Sequence, residues 1–169
     1  RAGIPVQRGC DERCTYCIVP TTRGPERSRR LADVVRETRE VVAQGITEVV
    51  LLGQTVNSYN DGTHDFADLL RAVGAVEGLR RLRYTSPHPN DFSDRVIAAM
   101  AETSTVCEHV HLPMQSGSTS MLKRMLRRYS REEYLDCVAR LRAAMPGLGL
   151  TTDIIVGFPG ETDAEFEET

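Results

Sequence analysis

The sequence predicts an α/β fold with a parallel sheet, because strand-like and helix-like segments alternate along the chain. Short apolar runs such as EVVLL at residues 48–52 are typical of buried strands, and the segments between such runs carry apolar residues at helical spacing. Polar or glycine-rich motifs follow the strands. We therefore expect a sheet that is either open or part of a barrel, with one ligand site at the carboxyl ends of its strands.

Five strands and six helices are expected. The strands are predicted at residues 3–7, 48–52, 81–85, 109–112 and 150–156. The helices are predicted at residues 30–44, 66–76, 92–102, 121–126 and 131–144, and a last one begins at Thr162. Gly45 ends the first helix, and Ser130 with Glu133 forms a capping box ahead of the fifth.

The composition is that of an ordinary globular chain. Of 169 residues, 40% are apolar and 27% are charged, and the net charge of −3 gives no general signal of nucleic-acid binding. No apolar run approaches the ~20 residues of a membrane span, so no membrane partner is expected. The chain starts without Met and ends where a helix has just begun, which suggests a fragment of a longer protein.

Three cysteines near the N-terminus are the strongest chemical signal. Cys10, Cys14 and Cys17 are separated by three and by two residues, and no histidine follows at zinc-finger spacing. Thiolates select iron–sulfur clusters, zinc or copper, but a structural zinc site normally has four protein ligands. Three thiolates on a cluster of four irons leave one iron open to a substrate. We therefore expect an iron–sulfur cluster, and a zinc-stabilised module that binds RNA without catalysis is the alternative from another class.

Further candidates follow the later strands, where a parallel sheet binds ligands. Gly53 and Gln54 end the second strand, and a plain turn is the alternative. Gln115 and Ser116 follow the fourth strand, and capping of the next helix is the alternative. Asp153 lies in an apolar run, where a carboxylate should be paired or face a cavity.

Basic and histidine residues give weaker signals. Arg127 stands out in the basic run KRMLRRYSR as a contact for a ligand carboxylate or an RNA phosphate, although a solvated helix face is the commoner explanation. His88 is expected to line the pocket. His109 and His111 share one face of a strand, and packing or capping is favoured over a metal pair because a third ligand is absent. The two remaining cysteines, Cys107 and Cys137, are expected to be buried, inert thiols.

Four motifs carry a family resemblance: RGCDERCTYCIVPTTRG, LLGQTVNSY, HLPMQSGS and IIVGFPGET. Together they resemble the radical S-adenosylmethionine (SAM) methylthiotransferases, and the resemblance covers essentially the whole chain. The cysteine spacing, with Tyr16 before the last cysteine, is similar to the radical SAM signature. LLGQTVNSY and HLPMQSGS are most similar to the tRNA branch, which adds a methylthio group to C2 of N6-isopentenyladenosine. The branches acting on ribosomal protein S12 and on threonylcarbamoyladenosine are close relatives.

The resemblance implies a partial (β/α) barrel of the radical SAM type, with about five βα units in one incomplete core domain over residues 1–169. It implies a 4Fe-4S cluster on the three cysteines, with SAM on the open iron and reductive cleavage of SAM to a 5′-deoxyadenosyl radical. The residues then expected at SAM are Tyr16, Gly53, Gln54, Gln115, Ser116, Arg127 and Asp153.

The resemblance also implies components that this chain lacks. A second 4Fe-4S cluster, which brings the sulfur, would sit in an N-terminal domain, and an RNA-binding domain would follow at the C-terminus. The chain alone is therefore not expected to complete the reaction. The expected partners are tRNA and an electron donor such as flavodoxin or ferredoxin, and the protein is expected to be a cytoplasmic monomer.

Overall fold

A computed structural model describes all residues of the chain, 1–169. The strands are β1 (Ala2–Pro5), β2 (Gln7–Arg8), β3 (Arg27–Ser28), β4 (Glu48–Leu52), β5 (Arg81–Tyr84), β6 (His109–His111) and β7 (Gly149–Thr151). The α-helices are α1 (Val19–Arg23), α2 (Leu31–Ala43), α3 (Phe66–Gly74), α4 (Asp94–Glu102), α5 (Thr119–Arg124), α6 (Arg131–Ala144) and α7 (Asp163–Glu168). None of these helices combines the length and the apolar character that a membrane span requires.

Five of the strands run parallel in one curved row. β1, β4 and β5 form a three-stranded parallel sheet in that order, and β6 and β7 form a parallel pair. A parallel bridge between Leu82 of β5 and Val106, just before β6, joins the sheet to the pair. The chain therefore forms an open, partial (β/α) barrel, which confirms the predicted fold class.

The core lies between the three-stranded sheet and helices α2, α3 and α4. Leu51 and Leu82 of the sheet and Leu69 and Leu70 of α3 have no exposed surface. Burial of each such side chain contributes about 1.5–3 kcal/mol. The sheet and its helices are thus a packed scaffold beneath the carboxyl ends of the strands.

Local signals placed several element boundaries correctly. β4 spans the residues predicted from its apolar run. Gly45 follows α2 with a φ of +87°, a left-handed conformation that glycine adopts without strain. The capping box before α6 is present, because the Ser130 hydroxyl accepts the Glu133 N–H and the Glu133 carboxylate accepts the Ser130 N–H, at 3.2 and 2.7 Å.

The last predicted strand is wrong in length. β7 ends at Thr151, and beyond it only a single bridge joins Ile154 to Gln115. The apolar side chains of this run are open to solvent, since Ile154 is 47% exposed and Val156 is 59% exposed. The first predicted strand, residues 3–7, is divided into β1 and the start of β2. The pairing of β2 with β3 and the helix α1 were not predicted.

Candidate metal centre and cofactor cavity

A cavity of about 250 Å³ lies at the carboxyl edge of the curved row. It is lined by Cys10, Cys14 and Cys17 and by residues that follow β4, β5, β6 and β7. A cavity therefore lies at the sheet edge where the single ligand site is predicted. Of the predicted contacts, the cavity lining includes Tyr16, Gln54, Gln115, Arg127 and Asp153.

The cysteine loop is held in place by backbone contacts. The β2–β3 pair closes its base, and the Cys10 N–H donates to the Gly24 carbonyl at 3.2 Å. Gly9 has a φ of +82°, and a Cβ there would lie 2.1 Å from the Pro25 carbonyl oxygen. On the far side, the Thr15 N–H donates to the Met125 carbonyl at 3.1 Å. The loop is thus closed at its base by its own backbone and attached to the C-terminal end of α5.

The three cysteines differ in environment. Cys10 is buried, its sulfur lies 3.2 Å from the Thr55 hydroxyl, and burial raises its thiol pKa. Cys14 is half-buried and accepts an N–H from Arg127, whereas Cys17 is exposed. No three His, Cys, Asp or Glu side chains lie close enough together to hold a single metal ion. Three soft sulfur donors that line one cavity are the donor set that suits an iron–sulfur cluster.

The contacts of Gln54 and Gly53 stabilise the cysteine loop and the turn after β4. The Gln54 side-chain oxygen accepts the Gly9 N–H at 2.7 Å, and the Gln54 N–H donates to the Gln7 side-chain oxygen at 2.9 Å. Gly53 lies outside the lining of the cavity. A Cβ at Gly53 would lie 2.7 Å from the Gln7 oxygen and 3.0 Å from Val56 Cα, so the turn requires glycine.

Ser116 also lies outside the lining. It is buried, its hydroxyl accepts the Ser118 N–H at 3.1 Å, and it lies 3.0 Å from the Thr169 hydroxyl. These contacts support the turn before α5, whose N-cap residue, Ser118, makes no side-chain capping hydrogen bond. Asp153 lines the cavity, as predicted for a carboxylate in this run, although its side chain is 68% exposed. It is exposed because β7 ends before it, and it contacts His111 Nε2 at 3.2 Å.

Arg127 is the one residue of the basic run that turns into the cavity. Its Nε–H donates to the Tyr129 hydroxyl at 3.1 Å, and its Nη1 donates to the Cys14 sulfur at 3.3 Å. The guanidinium carbon lies 5.0 Å from the centre of the Tyr129 ring. Tyr16 is 40% exposed and packs edge-on against Phe158 with ring centres 6.4 Å apart.

His88 lines the cavity, as predicted, and is held rigidly. The Asn57 amide binds both its carbonyl, at 2.8 Å, and its N–H, at 2.7 Å. Its Nδ1 accepts the Asn90 N–H at 3.3 Å, which leaves the hydrogen of a neutral ring on Nε2. Nε2 has no partner. Burial, followed by the charge of Arg127, lowers the pKa of His88 to about 4, so the ring is neutral near pH 7.

The other histidines and cysteines named in the sequence analysis lie outside the cavity or at its edge. His111 lines the cavity, and both His109 and His111 contact the Thr151 hydroxyl, at 3.4 and 3.0 Å. Cys137 is buried, as predicted, and burial raises its pKa to about 11. Cys107 is only half-buried, contrary to the prediction.

Two strained residues of the cavity were not foreseen. Ser86 after β5 and Gln115 after β6 line the cavity with φ values of +55° and +65°, which side chains other than glycine rarely adopt. Such strain concentrates at functional sites. Neither residue type marks left-handed backbone, so the sequence held no signal for it. Glu12 was also missed; it lines the cavity and pairs with Arg128.

The open parallel barrel and the thiol-lined cavity at its carboxyl edge define a cofactor-binding (β/α) barrel protein. Residues 4–169 match the family model of the radical SAM superfamily, and the chain belongs to that superfamily. Membership implies a 4Fe-4S cluster and SAM as cofactors.

Two curated relatives illustrate the similarity. The chain is 57% identical over 171 residues to the tRNA-2-methylthio-N(6)-dimethylallyladenosine synthase of Parafrankia sp. (strain EAN1pec), covering 99% of this chain and 35% of the relative. It is 55% identical to the protein of the same name from Acidothermus cellulolyticus, covering 99% of this chain and 34% of the relative. The chain thus spans about a third of the length of the curated relatives it matches.

Among solved structures, the fold is similar to that of the cobalamin-dependent S-adenosylmethionine radical enzyme OxsB. The TM-score is 0.79 at 14% identity, and the alignment covers 98% of this chain and 25% of that chain. At this identity the likeness concerns the fold alone.

Proposed function

We propose that this chain is the radical SAM core of an enzyme that adds a methylthio group to C2 of N6-isopentenyladenosine in tRNA. The relatives' shared name supports this substrate, because identity of 55–57% extends over 99% of the chain. Since the chain spans about a third of those relatives, we propose that sulfur delivery by a second 4Fe-4S cluster and recognition of tRNA belong to other parts of the protein.

Convergence of Cys10, Cys14 and Cys17 on one cavity is the observation that carries the cluster proposal. These thiols are proposed as the three protein ligands, with one iron left for SAM. When bound, the cluster and SAM supply a carbon-centred radical that abstracts hydrogen from the substrate. The protein's own part is positional: Gln54 holds the base of the cysteine loop through the Gly9 N–H, and Thr55 packs against the Cys10 sulfur.

SAM is proposed to bind across the same cavity. Its polar groups would meet residues from both sides of the lining, namely Tyr16, Gln54, Gln115, Arg127 and Asp153. Gly53 and Ser116 would act by shaping the two turns that carry Gln54 and Gln115, since their own contacts are internal. The Nε2–H of His88 is a further donor at this site, because it has no partner within the protein.

The proposed partners follow from this chemistry. A one-electron reductant of the flavodoxin or ferredoxin type would reduce the cluster, and the protein would act as a cytoplasmic monomer. The exposed Cys17 marks the side from which an electron donor could approach.

Anaerobic reconstitution tests the proposal. We expect about four iron atoms per chain, a brown cluster absorbance, and cleavage of SAM to 5′-deoxyadenosine after reduction. Cys14→Ala should abolish the cluster, whereas the matched variant Cys107→Ala should retain it because Cys107 does not line the cavity. Stoichiometric zinc without iron would refute the cluster and favour a zinc-stabilised module.

The substrate requires the full-length protein. Methylthiolation of tRNA carrying N6-isopentenyladenosine, without modification of ribosomal protein S12 or of threonylcarbamoyladenosine, is the expected result. Modification of either alternative substrate in place of that tRNA would refute the substrate while leaving the radical SAM chemistry intact.

A further inference from the structure

Arg127 differs from the basic residues around it in what it contacts. Arg124 pairs with Glu165 at 2.5 Å, Arg128 pairs with Glu12, and Arg131 lies 3.5 Å from Glu132. Arg127 forms no ion pair with any carboxylate. Its directed contacts are instead the Tyr129 hydroxyl and the Cys14 sulfur. A guanidinium aimed at a sulfur in place of a carboxylate calls for a chemical reason.

Two contacts with Tyr129 fix the side chain of Arg127. The Tyr129 hydroxyl lies 3.1 Å from the Met114 carbonyl, to which it donates, so its oxygen is free to accept the Arg127 Nε–H at 3.1 Å. The ring of the buried Tyr129 lies under the guanidinium, whose carbon is 5.0 Å from the ring centre. Stacking and hydrogen bonding together orient Nη1 toward the Cys14 sulfur.

The backbone before Arg127 turns sharply at Leu126, where α5 ends. Leu126 has a φ of +56°, which is unfavourable for a residue with a branched side chain, and its own side chain is 51% exposed. The left-handed turn directs the Arg127 N–H to the Leu122 carbonyl at 2.8 Å and ends α5. With the Leu126 N–H bound to the Lys123 carbonyl at 3.0 Å, this is a common way for a helix to end, and it places Arg127 directly after the turn.

We propose that Arg127 is the charge partner of the Cys14 thiolate and raises the reduction potential of the cluster that this thiolate binds. The inference rests on the proposed cluster function. A cluster that gains one electron from an external reductant gains one negative charge and breaks no bond. A fixed cation that donates a hydrogen bond to a ligand sulfur stabilises that added charge, so reduction becomes more favourable. Arg127 thus acts through the Cys14 sulfur, which it positions, and it tunes the reduction potential of the cluster.

The reduction potential of the reconstituted chain tests the proposal. Anaerobic titration with dithionite, followed by electron paramagnetic resonance, should show a shift to lower potential in Arg127→Leu. Arg127→Lys should shift less, because it keeps a positive charge but loses the planar fork. Arg128→Leu is the matched control. It removes one charge at the neighbouring position, where the side chain is 71% exposed and makes no contact with sulfur, so we expect a much smaller shift.

The iron content of each protein distinguishes failure of the cluster proposal from failure of the inference about Arg127. A wild-type chain without iron would refute the cluster itself, independently of Arg127. An Arg127→Leu variant with full iron and an unchanged potential would overturn the inference, as would an equal shift in Arg128→Leu. If Arg127→Leu does not fold, Arg127→Gln carries the same expectation, because it removes the charge and keeps a polar side chain.

Discussion

The cavity has two walls that are built in opposite ways. We call β1, β4 and β5 with their following loops the packed wall, and β6, β7 and residues 152–168 the open wall. Helix α3 buries five residues beneath the packed wall, whereas α7 buries none in the open wall. Leu82 of β5 has no exposed surface, but in β7 only Leu150 is partly covered. The packed wall is therefore preformed. In the open wall only β6 packs into the core, through Val110, whereas β7 and residues 152–168 rely on hydrogen bonds.

This difference separates the two halves of the site. Cys10, Gln54 and His88 stand on the packed wall, where burial and short hydrogen bonds leave them one arrangement. Asp153 and His111 stand on the open wall and hold each other through an exposed pair. A metal centre needs fixed ligands, whereas a wall that meets an incoming ligand benefits from freedom to adjust. Four predictions test the contrast, from the largest effect to the smallest.

Truncating a leucine should cost far more in the packed wall. Leu82→Ala leaves a cavity in a fully buried site, so the free energy of unfolding should fall by roughly 2–5 kcal/mol. Leu150→Ala removes the same atoms from a half-buried position, and we expect a loss of about 1 kcal/mol. Urea denaturation of both variants measures the difference. Equal losses would contradict the distinction between the two walls.

Asp91 and Glu165 should contribute to the pH dependence of the free energy of unfolding with opposite signs. Burial, followed by the charges of Glu12 and Glu26, raises the pKa of Asp91, near the packed wall, to about 6. Its charged form is therefore unfavourable in the fold above pH 6, and this penalty disappears as the pH falls below its ordinary pKa of 3.8. Asp91→Asn should stabilise the chain by about 1–3 kcal/mol at pH 7.5 and by nothing at pH 3.5.

Glu165 on the open wall shows the opposite sign. Hydrogen bonds, first from Ser120 and then from the Thr162 N–H, lower its pKa to about 2. Its contribution to stability is present above pH 4.5 and is lost as the pH falls toward 2.

The exposed Asp163 is the matched control for Asp91, and Asp163→Asn should show no gain at pH 7.5. A gain equal to that of Asp91→Asn would refute burial as the cause.

The same capping motif should contribute more to the global free energy of unfolding in α6 than in α7. Ser130 caps α6 and Thr162 caps α7, each through a complete capping box. Ser130→Ala should cost about 1 kcal/mol of global stability, because α6 is packed against the core through Tyr134 and Leu141. Thr162→Ala should cost only a few tenths of a kcal/mol, and amide hydrogen exchange should show local fraying of α7 instead. Global unfolding in both variants would show that α7 is packed.

The smallest effect on stability is expected at Asp153. Its pair with His111 is exposed, so Asp153→Asn should change the free energy of unfolding by less than about 0.5 kcal/mol. If Asp153 contacts SAM, as proposed, the same variant should raise the Kd for SAM by roughly tenfold, equal to about 1.4 kcal/mol. Measurement of both quantities on one preparation separates the two roles, and an unchanged Kd would refute the contact with SAM.

Much of the fold was readable from local sequence. The apolar run of β4, Gly45 after α2 and the Ser130 capping box each act over a few residues, so their signals are complete in the sequence. The spacing of the three cysteines is equally local, and it identified the loop that lines the cavity. The end of β7 was not readable, because an apolar run does not reveal whether a second strand pairs with it.

What the sequence determined alone was the order of strands and helices, the cysteine loop and the sheet edge at which the cavity lies. The tertiary structure decided which side chains meet there. Gln54 reaches Gly9 across 45 positions, and Arg127 reaches Cys14 across 113. Such contacts depend on the curvature of the strand row and on the strained turn at Leu126, which bring distant segments together. Spacing along a chain specifies a local motif, whereas contacts across the cavity arise only when the curved sheet packs on its core.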